Sequence, residues 1–220
     1  MESIQEEFYR DYYPSIESDT TASRYHSLTH RLLERTIFPT ENIDSVLEVG
    51  AGEGQHFPFV LHEFRSYVML DVRKPPGLEW ESRVTFREGS VESIPFADDS
   101  FDRVIATCLL HHLNDPMTAL REMRRVASKN GGIVSIMMAC DPGMTYRAAH
   151  RLTSGRRLDK MGLHQWKLVH ALEHRNHIAS LDQMLRYVFQ NDSIHATGFP
   201  LPSARFWNLN LLNVYQIRIV

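Results

Sequence analysis

The sequence predicts an α/β fold built on a mostly parallel sheet, and three observations carry that reading. Short apolar runs alternate with helical stretches from residue 45 to residue 139, the pattern of parallel strands joined by right-handed crossovers. Ile133 to Ala139 is nearly continuous in apolar residues, as a strand covered on both faces should be. Val46-Leu47-Glu48-Val49-Gly50-Ala51-Gly52-Glu53-Gly54 reads as a buried strand that ends on an acid, turns tightly on three glycines and feeds a helix from near Glu53. Glycines let backbone N–H groups approach a ligand closely, and a helix N-terminus favours negative charge. The natural guest of such a turn is a nucleotide-like cofactor carrying a carboxylate or phosphate. The plain alternative is a tight strand-to-helix turn with no ligand.

Size and composition set the frame. The chain has 220 residues, 43% of them hydrophobic, which suits one domain with one sizeable core and a small cap. The net charge is −3, so no global field draws the chain to nucleic acid. Cys108 and Cys140 both sit in apolar runs and read as buried free thiols in a reducing compartment. The N-terminus, Met1 to Glu7, is acidic and lacks the basic and apolar regions of a signal peptide. No apolar run approaches the ~18 residues of a membrane span. A cytoplasmic protein follows, with no transmembrane segment, although peripheral membrane contact stays open and the oligomeric state is not readable.

Taken in order, residues 1–42 form an N-terminal helical cap, with a helix from about Ala22 to Ile37. Leu28, Leu32, Leu33 and Ile37 share its inner face, and Arg24, Tyr25, His26 and His30 point elsewhere. Either that face is merely solvated, or it is a flap that brings Tyr13, Tyr25 or His26 to a ligand. Ser45 to Val49 is strand one, and Glu53 to Phe64 is the helix that follows. Tyr67 to Asp71 is strand two. Asp71 stands 23 residues beyond Glu48, close to the ~20 at which an acid ending the second strand can accept from both hydroxyls of a ribose. Pro75-Pro76-Gly77 is a loop, and Val84 to Phe86 is strand three. Pro116 to Ser128 is an amphipathic helix with proline at its first turn, stopped by Asn130-Gly131-Gly132. Ile133 to Ala139 is strand five.

Spacing separates the cofactor classes. A dinucleotide fingerprint places its third glycine at position 55, which is Gln55. The actual pattern, acid-x-Gly-x-Gly-x-Gly, resembles motif I of the class I S-adenosylmethionine (SAM)-dependent methyltransferases. Further stretches resemble that family in the same order. Glu88-Gly89-Ser90-Val91-Glu92-Ser93-Ile94-Pro95-Phe96 is similar to its adenine loop, with Ser90 and Val91 where the family has Asp and Ala. Asp99 to Thr107 looks like its turn into strand four, and Leu109-Leu110-His111-His112-Leu113 matches a frequent "Leu-His-His-Leu". The resemblance spans about residues 44–140. It implies a three-layer Rossmann-like sandwich with a seven-stranded sheet, whose last strand runs antiparallel between strands five and six. It also implies S-adenosyl-L-methionine as cofactor, held by Glu48, Gly50, Ala51, Gly52, Gly54, Asp71, Val72, Ser90, Val91 and Thr107.

Beyond strand five the family pattern breaks. A minimal fold needs one helix before strand six, yet residues 141–180 intervene and read as a helical lid on the substrate side. Arg147, Arg151, Arg156, Arg157 and Lys160 are either a solvated face or a site for an anionic group. His170, His174 and His177 share one face if helical, as surface residues, substrate contacts or, least of all, metal ligands, since no Asp, Glu or Cys obviously completes a set. The metal expectation is none. Arg147, Arg151, His174 and His177 are substrate candidates with Tyr13, Tyr25 and His26. Ser180 caps a last helix from Leu181 to Phe189, Ser193 to Gly198 is strand six, and Trp207 to Ile217 is strand seven.

Methyl transfer is an in-line displacement, so the protein's task is alignment. A hydroxyl acceptor also needs a proton acceptor, which histidine supplies near neutral pH. His111, His112 and Asp141 lie at the C-terminal edge of the strands, where open α/β sheets place their sites, and are the candidates for that base. The resulting expectation is SAM-dependent methyl transfer to a polar, anionic small molecule or glycan, with a sugar or nucleotide-linked sugar hydroxyl favoured. The alternatives are a small-molecule or lipid-headgroup N-methyltransferase and a SAM-binding partner without catalysis. A nicotinamide dehydrogenase is disfavoured by Gln55. Nucleic acid is not expected as a partner, because no basic stripe interleaved with stacking aromatics is present.

Overall fold

The computed structural model describes residues 4–12, 20–37, 42–75 and 80–220. Tyr13 lies outside them, and the side chains of Tyr25 and His26 are not among those described. Seven strands form one sheet: β1 (Ser45–Val49), β2 (Ser66–Asp71), β3 (Val84–Glu88), β4 (Arg103–Thr107), β5 (Ile133–Ala139), β6 (Ser193–Phe199) and β7 (Leu212–Arg218). Their spatial order is β3-β2-β1-β4-β5-β7-β6. Strands β1 to β5 pair in parallel, and β7 runs antiparallel to both β5 and β6. This is the three-layer sandwich that the resemblance implied.

Helix α1 (Ile4–Glu7) continues as a π-helical turn over Phe8–Tyr12, and α2 (Thr20–Arg35) follows before the sheet begins. On the other face lie α3 (Pro116–Val126) and, after the insertion, α7 (Ile178–Val188). Helix α3 starts where the sequence places it, because Pro116 occupies its first turn and Asp115 accepts the Thr118 N–H at 3.0 Å, satisfying a donor the helix cannot pair internally. Its Leu120, Met123 and Val126 join Leu181, Leu185 and Phe189 of the α7 region in one buried cluster against the sheet. Fully burying a side chain of this kind contributes about 1.5–3 kcal/mol. The opposite cluster gathers Leu33 of α2 with Val46, Tyr67, Met69 and Ile105.

Five expectations need correction. The helix from Glu53 to Phe64 does not form; one 3-10 turn, Phe57–Phe59, stands in its place. Gly50, Gly52 and Gly54 all have positive φ, Pro58 disfavours helical geometry at Phe57, and His56 is drawn into a buried network described below. The last helix begins at Ile178 with His177 at its cap, while the Ser180 hydroxyl bonds back to the His177 carbonyl. Strand seven begins only at Leu212. Before it, the Asn210 side chain accepts from Leu201 N–H and donates to the Ser203 carbonyl, which holds the chain in turns. In α2, Leu28 is exposed and His30 is buried, the reverse of the amphipathic reading. Cys140 is buried as expected, but Cys108 is exposed; both thiols are free.

The insertion contains α4 (Met144–His150), a π-helical stretch Arg151–Gly155, α5 (Arg156–Lys160) and α6 (Trp166–Glu173). It has its own small core of Leu158, Leu163, Trp166 and Val169, against which Ile4, Phe8 and Tyr12 pack. The two segments outside the family resemblance therefore pack on each other.

Candidate active site

The C-terminal ends of β1, β4 and β5 open into a crevice of about 320 Å³, within the usual size range of small-molecule sites. Glu48, Gly50, Ala51, Gly52 and Glu53 line it from the first strand and its turn. Thr107 and Cys108 come from the end of β4, Met137 and Ala139 from β5, and Thr29 and His30 from α2. Gly50 has φ +65° and Gly52 has φ +53°, conformations that L side chains adopt only at a cost. A Cβ at Gly52 would meet no atom within 4 Å, so the turn presents bare backbone to open space. The Gly52 N–H donates to Asp71 Oδ2 at 2.8 Å, and the other Asp71 oxygen accepts from Arg73 N–H.

Of the predicted cofactor residues, Glu48, Gly50, Ala51, Gly52 and Thr107 line this crevice, and Asp71 adjoins it through Gly52. Gly54, Val72, Ser90 and Val91 are not on its wall. Gly54 lies under the Trp80 ring, Val72 is exposed and Val91 is buried in the core. The Ser90 hydroxyl accepts from Glu92 N–H. Glu48 is buried and accepts the Tyr67 hydroxyl at 2.7 Å; burial pushes its carboxyl above the usual range.

Sequence reading missed the charged network beneath the crevice. Arg103 and Glu34 are both fully buried and paired twice, at 2.7 and 3.1 Å. Arg103 Nε also donates to the Ser135 hydroxyl. His56 Nε2 lies 3.0 Å from Glu34, and its Nδ1 lies 2.9 Å from His30 Nδ1. Glu34 accepts, so His56 carries its proton on Nε2 and accepts from His30, a tautomer assigned from the network. Burial alone would raise the Glu34 carboxyl, but hydrogen bonds from His56 and Arg103 and the Arg103 charge hold it well below its ordinary range. The network ties α2 to the irregular segment after β1, and thereby sets Thr29 and His30 against the crevice.

A second cavity, about 1060 Å³, opens between the insertion and the end of β5. Arg147, Arg151, Lys167 and Arg175 line it together with His150, His170, His174 and His177. Asp141 closes its floor, with Oδ2 at 3.1 Å from both His170 Nε2 and His174 Nδ1. Burial would raise the Asp141 carboxyl; the two imidazole hydrogen bonds outweigh it and hold it low. The predicted run of three histidines on one helical face does not exist, because α6 ends at Glu173 and His177 starts the next helix. His170 and His174 do converge, and the acid that sequence reading could not find for them is Asp141.

The three candidate bases differ sharply. His111 is wholly buried; its Nδ1 donates to the Asn176 carbonyl at 2.7 Å, and its Nε2 has no hydrogen-bond partner among the described residues. Burial pushes its imidazole down to about 4. Asp141 is engaged by two imidazoles. His112 lines the cofactor crevice, with its Nδ1 at 3.5 Å from Glu173 Oε2. Its ring meets His174 edge-on at 5.1 Å, so these two rings stand between the two cavities.

The fold and this crevice define an α/β protein with an open site at the carboxyl ends of its strands, of a size that suits a small-molecule ligand. Residues 47–135 match the family model described as a methyltransferase domain. An uncharacterized methyltransferase of Schizosaccharomyces pombe is 37% identical over 107 residues, 41% of this chain and 38% of that one. A methyltransferase-named protein of Encephalitozoon cuniculi is 27% identical over 189 residues, 83% of this chain and 85% of that one. Among solved structures, a chain of the Haloferax volcanii complex between the Trm112 methyltransferase activator and a methyltransferase superposes with a TM-score of 0.64 at 16% identity, over 99% of this chain and 97% of that one. The chain spans about a third of the length of the first curated relatives it matches. Over residues 47–135 the chain is similar to the methyltransferase-domain family, whose methyl donor is SAM, and its seven-stranded mixed sheet agrees with that likeness. The crevice suits that family's cofactor: bare glycine backbone at one end, a paired carboxylate on the neighbouring strand, and buried Glu48 beneath.

Proposed function

We propose that this chain transfers the methyl group of SAM to a polar, anionic small molecule or glycan, with a sugar or nucleotide-linked sugar hydroxyl as the preferred acceptor. The observation that supports this reading is the lining of the larger cavity. Four cations, Arg147, Arg151, Lys167 and Arg175, surround it, beyond what a neutral acceptor needs, and arginine suits a phosphate or carboxylate through paired N–H bonds. SAM supplies a methyl carried on a positive sulfur. The turn from Gly50 to Gly52 would hold its methionine end and Asp71 its ribose, with Thr107 and His112 on the wall of the same crevice. The basic cavity binds the acceptor's anionic part, and its hydroxyl would enter the crevice at His112, whose ring adjoins His174 of that cavity. His112 takes the hydroxyl proton, backed by Glu173. Most of the rate comes from holding the reacting atoms in line, and the proton acceptor adds about 10²–10⁴-fold.

The test is incubation of the protein with methyl-labelled SAM and fractionated cell metabolites, followed by identification of the product. The reading expects label in an anionic fraction and its loss in an Arg147→Glu, Arg151→Glu double variant that still binds SAM. Label confined to neutral or cationic products would overturn the anionic acceptor.

A further inference from the structure

Asp141, His170 and His174 come from two distant stretches of chain and present their donor atoms to one point. We propose that they form a binding site for one divalent first-row transition-metal ion, with open coordination positions facing the basic cavity. Among the described residues, these are the three whose ligand atoms gather closely enough for such an ion, all within 4.8 Å of one another. Both imidazole nitrogens lie 3.1 Å from the same Asp141 oxygen. At metal–ligand distances of about 2.0–2.1 Å, adjacent donors stand roughly 2.9 Å apart on an octahedral ion and roughly 3.4 Å on a tetrahedral one. The two Asp141–imidazole separations fall between these values.

The elements explain the convergence. His170 and His174 are four residues apart at the C-terminal end of α6, so both project over the same side of the helix end. Asp141 leaves β5 directly beneath them, and its backbone carbonyl accepts from Ile178 N–H, which fixes the acid against the start of α7. Among the described residues the ion-pair partners of Asp141 are these two histidines, although Arg147, Arg151, Lys167 and Arg175 line the same cavity. The rings are braced from outside: His111 stacks on His174 at 5.0 Å, and Tyr146 and His150 lie within stacking distance of His170. Two imidazoles and one carboxylate leave positions for further ligands and favour Zn²⁺, Co²⁺, Fe²⁺ or Mn²⁺ over the harder Mg²⁺ and Ca²⁺. An oxygen of a molecule in the cavity would complete the shell. The site stands whether or not the acceptor proposed above is right.

The experiment is calorimetric titration of the untagged, chelator-treated full chain with Zn²⁺, together with visible absorption on adding Co²⁺. One ion per chain is expected, with d–d bands from Co²⁺. Asp141→Asn and His174→Gln should each weaken Zn²⁺ binding by at least about 100-fold, more than the loss of an outer partner causes. His164→Ala, an exposed histidine in the same insertion but outside the cluster, should bind as the wild type. Circular dichroism on the two variants establishes that they remain folded, and SAM binding is measured separately on the same samples. Folded variants that hold the ion as tightly as wild type, or a wild type that takes up no Zn²⁺ at about 100 µM, well above the affinity of built sites, would overturn the proposal. Ion binding without methyl transfer would leave it standing and sink only the acceptor reading.

Discussion

Gly54 and Gly52 share a positive φ but not a neighbourhood. A Cβ on Gly54 would lie 2.4 Å from the Trp80 ring, whereas one on Gly52 meets nothing. Gly52→Ala should therefore cost the free protein about 1–2 kcal/mol, the price of the left-handed backbone alone, while its methyl intrudes on the cofactor's space. Gly54→Ala should cost distinctly more stability, because Trp80 must also move. Urea unfolding and cofactor titration of both variants check this: stability should fall further in Gly54→Ala, and equal losses would contradict it. At the same scale, His111 couples stability to pH. Its folded value, about 4, lies below that of an unfolded histidine. The unfolded chain therefore takes up the proton first, and stability is lost as pH falls from about 6.5 towards 4. Unfolding free energy should drop by on the order of 1–2 kcal/mol from this residue between pH 7 and pH 5. His111→Asn should flatten that dependence, and an unchanged pH slope would show that burial does not set it.

Among the elements, the segment between β1 and β2 departs most from its sequence pattern. Strand ends were legible to within a residue for β1 and β5, because buried apolar runs and flanking glycines mark them locally. The missing helix was not, since its loss depends on partners far along the chain: Glu34, Arg103 and His56. An arginine at the start of an apolar strand was the available signal, but it does not name its partner. Removing one member of a buried pair strands the other. Glu34→Gln should destabilise by on the order of 3–5 kcal/mol, and, because α2 carries Thr29 and His30 to the crevice, it should weaken cofactor binding as well. A thermal melt and a cofactor titration measure the two effects; a variant with wild-type stability would refute a structural role for the network.

Over the whole molecule, the half that resembles the family was readable by motif order, and the insertion was readable only as a basic, histidine-bearing interruption. Its chemistry comes from tertiary convergence. Asp141 stands 29 residues before His170 and 33 before His174, a spacing without periodicity, so no local rule pairs them. Likewise the packing of Ile4 and Phe8 on the insertion joins two segments that sequence treated as separate caps. The result is a pair of neighbouring cavities divided by His112 and His174, one built on the glycine turn and one on the insertion. His112→Ala should therefore lower turnover by about 10²–10⁴-fold while leaving cofactor affinity within a few-fold of wild type, as initial-rate kinetics and calorimetry would report. A parallel loss of both would mean that the ring supports the crevice and takes no proton.

Everything said of methyl transfer depends on the crevice beside Gly52 and Asp71 holding SAM. Calorimetric titration with S-adenosylhomocysteine measures this most directly, alongside thermal unfolding, where ligand at ~100 times its dissociation constant stabilises by ~2.7 kcal/mol. The account predicts one site per chain, no response to NADH, and loss of binding in Asp71→Ala. No heat and no stabilisation with the wild-type chain, or undiminished affinity in Asp71→Ala, would contradict it.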